Sequence, residues 1–121
     1  MADFDVAGTV ADLIAAIRGE LKEGWNKVSA LVEQQSEMMA QQAEWIALSS
    51  APGGALSKNP KLRQLFADQL ADSVRFLARD IASHTILTAE IAWNAAVSVL
   101  WGAINKFLSS ASSGLLVLPT F

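Results

Sequence analysis

The sequence predicts an all-α fold: a long antiparallel helical hairpin, two helices joined by a Pro/Gly turn, that completes a bundle by oligomerisation. Three observations predict it. Apolar residues at 10, 14, 17, 21, 28, 31, 38 and 45 recur three, four or seven apart, the spacing of a seam on one helix face. One break, "SSAPGGALSKNP" over 49–60, separates that seam from a second helical pattern. The two sides carry opposite charge: eight acids and three bases through Leu56 give −5, and four acids and six bases after it give +2.

Helix 1 is expected over about 9–49. Thr9 with Asp12 three residues on fits a capping box, in which the hydroxyl accepts a backbone N–H and the carboxylate reaches back. Gly24, Gln35 and Gln42 fall on heptad positions, where a polar layer fixes register and partner number at some cost in stability. The turn occupies 50–59: Pro52, Gly53 and Gly54 cannot continue a helix, while Asn59 and Pro60 supply an N-cap and a first helical residue. Helix 2 follows over about 60–108, with Leu62, Leu65, Phe66, Leu70, Val74, Leu77 and Ile81 on a face. Residues 1–108 thus form the hairpin, and 109–121 read as a serine-rich hinge ahead of a short extended apolar segment.

If the turn is centred near residue 54, position i faces roughly position 108 minus i. That register sets Glu44 near Arg63, Glu33 and Glu37 near Arg75, Lys27 near Asp80, and Arg18 near Glu90. Exposed pairs contribute only about 0–1 kcal/mol each, so they select alignment more than they stabilise it. The same register places Gly24 against His84 and Gly8 against Trp101, small residues against large.

Chemistry-bearing residues are sparse. His84, with Asp80 and Thr88 a turn away on either side, reads as a hydrogen-bonded packing residue rather than a proton relay. Glu90 reads as the partner of Arg18 rather than an acid inside a membrane. Lys58, Lys61 and Arg63 read as a solvated loop paired with Glu44 rather than an anion site. "EQQSEMMAQQAEW" is either a polar ladder between chains or the outer face of a helix. No phosphate loop, paired catalytic carboxylates or metal-ligand spacing occurs, and there is no cysteine, so no catalytic residue, cofactor or metal is expected. An acidic chain of net charge −3 has no field to hold a nucleic acid. The start, "MADFDVAGTVADL", lacks the cationic opening of a secretory signal, which implies synthesis in the cytoplasm without processing.

The apolar surplus is the strongest functional signal: 52% hydrophobic residues, with 81–105 carrying the single formal charge of Glu90. A membrane span needs about 20 mostly apolar residues, but a central acid costs roughly 2–3 kcal/mol and the stretch also holds His84, Asn94, Ser98 and Asn105. Cover by other protein chains is the preferred reading, with Trp93, Ala96, Val97, Leu100, Trp101, Gly102 and Ile104 as the contact. Two helices of about 40 residues, about 60 Å each, have too little core alone, so more copies or a partner must close the bundle. The function expected is that of a non-enzymatic, self-associating structural protein within a larger complex. The alternative is a membrane-active or pore-forming helical protein, such as an envelope-penetrating virion component, with 81–105 in the bilayer.

Overall fold

A computed structural model describes residues 4–121, and all of its regular structure is helical. There are four helices rather than two: α1 (Val6–Leu21), α2 (Trp25–Ser50), α3 (Pro60–His84) and α4 (Ala89–Ser110). Each expected long helix is broken once. The breaks fall at 22–24 and 85–88, so the hairpin folds back on itself and α1 packs against both α2 and α4. The chain thereby closes a four-helix bundle alone, and the core that two exposed helices lacked is supplied from within.

Local chemistry explains each end. The first helix begins at Val6, not near Thr9: the Asp5 carboxylate accepts the Gly8 N–H at 2.8 Å, and Thr9 lies inside the helix with its hydroxyl donating to the Asp5 carbonyl. At the first break Lys22 (φ 39°) and Gly24 (φ 84°) take positive φ, and Gly24 precedes α2 without a side-chain cap. Only glycine reaches that region without a Cβ penalty. After Ser50 the loop is pinned by the buried Leu56, whose N–H donates to the Ser49 carbonyl at 2.8 Å. Asn59 then caps α3 by accepting the Leu62 N–H at 3.1 Å, with Pro60 in the first turn. At the second break the Thr85 hydroxyl donates to the Ile81 carbonyl and accepts from the Leu87 N–H, while Thr88 caps α4 by accepting from Ile91.

Neighbouring helices pack in sequence order, α4 returns to α1, and α2 also meets α4 across the diagonal. The buried face of α2 shows why. It carries Ser36, Ala40, Ala43 and Ala47 among Val28, Val32, Met39 and Ile46, and α4 contributes Ala92 and Ala96. Small side chains let backbones approach. The predicted seam is therefore displaced by a fraction of a turn, leaving Met38 and Trp45 exposed at its edge.

The contact predicted for other subunits is occupied by this chain. Trp93, Ala96, Val97, Leu100, Trp101 and Ile104 are buried in the bundle core, and Gly102 is exposed. No helix among the described residues is long and apolar enough to cross a membrane, and the break at 85–88 divides the 81–105 stretch.

Candidate functional site

Two faces of the bundle carry most of its unusual chemistry, and both are built on α3. The first is the groove between α2 and α3. Trp45 meets Phe66 edge-on at 4.6 Å between ring centroids, beside Gln42, Gln69 and Leu70. Further along, Gln35, Ser73, Phe76 and Leu77 line a continuation that ends at Asp80. Met38 lies seven residues before Trp45, hence on the same side of α2, and Leu62 and Leu65 flank Phe66 on α3. Met38, Trp45, Leu65 and Phe76 are all exposed, Phe76 by 71%. Between them stand glutamines and a serine. Asp72, on the side of α3 that carries Leu65 and Phe76, and Asp80 at one end are the charged residues of this strip, and Asp72 is paired with Arg75.

The second face is the groove between α3 and α4, which the segment 111–121 covers as an extended strap. The Asn105 side chain grips it from α4 by accepting the Leu116 N–H at 2.8 Å and donating to the Leu116 carbonyl at 3.0 Å. From α3, Arg63 donates to the Gly114 carbonyl and Arg75 to the Thr120 carbonyl. Ser113 donates to the Ser50 carbonyl at 3.0 Å, tying the strap to the end of α2. Leu116 is buried, and Phe121 rests on Trp93 with Arg79 over its ring. Leu115, Val117 and Leu118 point outward.

This arrangement overturns the expected charge register. Among the described residues none of the predicted ion pairs forms, and the single one present joins Arg75 to Asp72 at 2.7 Å within α3. Arg63 and Arg75, expected as partners for α2 acids, are engaged with the strap, as is Arg79, and Arg18 lies over Trp25 instead of meeting Glu90. Trp45, expected opposite Arg63, meets Phe66 three residues later. Gly8 shares a cleft with Gly102 rather than facing Trp101.

The remaining predicted residues are separated. Gly24 and His84 do line one shallow hollow at the two breaks, where a Cβ on Gly24 would stand 3.7 Å from the Thr85 methyl. His84 and Glu90 are both exposed, with Thr85–Thr88 between them. Gln35 and Gln42 sit on the α2/α3 groove, and the hydroxyl buried in the core of α2 is that of Ser36. A third cleft of about 500 Å³ between α1 and α4 holds Asp5, Asp12 and Lys106 over Gly8 and Gly102. Among the described residues no cluster of three or more His, Asp or Glu is placed to hold a metal. Sequence reasoning missed Asn105, a polar residue in an apolar helix, and the signal was its place ten to twelve residues before the Leu-Leu-Val run. Comparison of the chain with protein families, curated proteins and solved structures gives no significant match.

Proposed function

We propose that this chain is a non-enzymatic assembly protein whose bundle self-associates through the α2/α3 groove, as a structural part of a larger complex. The observation that carries this reading is the strip of exposed Met38, Trp45, Leu65 and Phe76 interleaved with Gln35, Gln42, Gln69 and Ser73. A two-fold contact sets a patch against its own copy, so any charge within it faces its like. This strip has few to oppose: Asp80 at one end, and Asp72, which Arg75 neutralises within its own helix. Glutamine amides are donor and acceptor at once and pair with themselves across such an axis. The exposed aromatic and methionine side chains are the types that dominate interface cores.

Sedimentation velocity of the wild type beside Trp45→Gln/Phe76→Gln tests the proposal. Both positions are exposed, so helicity and melting temperature should hold while association weakens at least tenfold. A wild type that stays monomeric at high concentration, or a double variant that associates equally well, refutes it.

A further inference from the structure

We infer that two copies exchange halves through the paired breaks, each straightening into a long hairpin whose α1/α4 half packs on the partner's α2/α3 half. The inference rests on the self-association reading and adds how a pair is built. Three features carry it. Both connections that cross between the halves lie side by side, since Gly24 and Thr85 border one hollow and a Cβ on Gly24 would sit 3.7 Å from the Thr85 methyl. The α1/α4 half is therefore joined covalently at one edge only, and with its strap released from Arg63, Arg75 and Ser50 it swings as a unit.

Helical spacing, moreover, carries across the buried residues that flank each break. Leu21 and Val28, buried on either side of the first break, are seven residues apart, and Ile81 and Ala92, flanking the second, are eleven apart. Both spacings return a helix to nearly the same face. Straightening thus keeps the residues that flank each break on one stripe, while the buried face of α4, running on through Trp93, Val97 and Trp101, turns by about a quarter of the circumference from that of α3; the partner's half supplies the contacts that the chain's own half supplied before.

The bends, finally, are held in backbone that a helix would relax. Lys22 takes a positive φ of 39° without being glycine, and Gly24 lies at 84°. Ile86, 87% exposed at the tip of the second bend, has no apolar cover. By symmetry the two hinges of an exchanged pair lie together at its centre, where Ile86 meets its copy. The α2/α3 groove stays outside, free to join one pair to the next.

The chain has no cysteine, so Ser50→Cys with Ser113→Cys gives a clean reporter: the Ser113 hydroxyl donates to the Ser50 carbonyl at 3.0 Å across the two halves. In a closed bundle the oxidised pair stays within one chain. In an exchanged pair it links two chains, visible as a dimer on non-reducing gels. Gly24→Ala with Thr88→Ala, which penalises the first bend and removes the cap that starts α4, should raise the covalent dimer fraction at least tenfold at equal concentration. Inserting Gly-Ser after Glu23 and after Ile86 should lower it by a similar factor, because slack connections favour the closed form. Dimers seen by sedimentation whose cysteines close within each chain refute the exchange and leave groove association standing. A monomer at every concentration refutes both, and a covalent dimer unaffected by the insertions refutes the hinges.

Discussion

At the scale of single residues, α2 buries two hydroxyls without a hydrogen-bond partner, Ser50 at its end and Ser36 in the middle of the core. Ser36 is fully buried and its hydroxyl finds no hydrogen-bond partner in the protein. An unsatisfied buried hydroxyl costs about 1–3 kcal/mol, so Ser36→Ala should raise stability by about 1 kcal/mol or more in urea denaturation, with an unchanged m-value. Leu100, wholly buried, behaves in the opposite way: Leu100→Ala should cost about 2–5 kcal/mol. Gly102 marks where the sequence misled. Read as a close contact, it predicts damage on enlargement, yet a Cβ there meets nothing within 4 Å. Gly102→Ala should therefore stabilise the bundle by up to about 1 kcal/mol through helix propensity, measured by the same titration. Asn105 spans both backbone groups of Leu116, so Asn105→Ala should free the strap before the helices loosen. Amide exchange at 114–118 would rise while that in α3 and α4 held, and equal acceleration everywhere would show that Asn105 serves the core instead.

Elements are governed here by caps and breaks. Asp5, Asn59 and Thr88 each accept a backbone N–H from the first turn of their helix, and loss of such a cap costs about 1 kcal/mol. Asn59→Ala should show that cost directly in its midpoint. In the α2–α3 loop, Gly54 approaches the Ser49 carbonyl so closely that a Cβ would stand 2.3 Å from its oxygen, whereas Gly53 has open space around it. Gly54→Ala should destabilise, and residues inserted after Gly53 should cost only a few tenths of a kcal/mol, because closure entropy grows slowly with length. The starts and ends marked by proline and asparagine were legible in the sequence. The breaks at 22–24 and 85–88 were not, because the apolar residues that flank each keep helical spacing and only Gly24 and the β-branched Thr85-Ile86 pair mark them. Charge misled for a related reason: a count of Arg63, Arg75 and Arg79 shows cations on α3 but not that backbone carbonyls of a distant segment would claim two of them. On α2 the large residues Met38 and Trp45 were weighted over Ala40, Ala43 and Ala47, although close helix approach selects the small ones for the core.

For the molecule as a whole, the strap is the last layer. Removing 112–121 uncovers Trp93 and takes away Leu116, the bonds from Asn105, Arg63 and Arg75, and the Ser113 tie to α2. Burial of one leucine contributes about 1.5–3 kcal/mol and each hydrogen bond about 0.5–1.5. The truncated chain should lose a few kcal/mol in chemical denaturation with its helical content intact, and a collapse of helicity would show that the strap is needed to form the bundle. The diagonal contact between α2 and α4 and the return of α4 to α1 have a consequence during synthesis. A growing chain that has released α1 and α2 still leaves Leu13 and Ile17 without the helix that completes their cover, since α4 spans Ala89–Ser110. At about 5–20 residues per second, several seconds separate the emergence of α2 from that of α4. Throughout that interval the apolar stripe of a nascent chain lies open to its neighbours on the same message, and chains translated side by side meet before either has the means to close on itself.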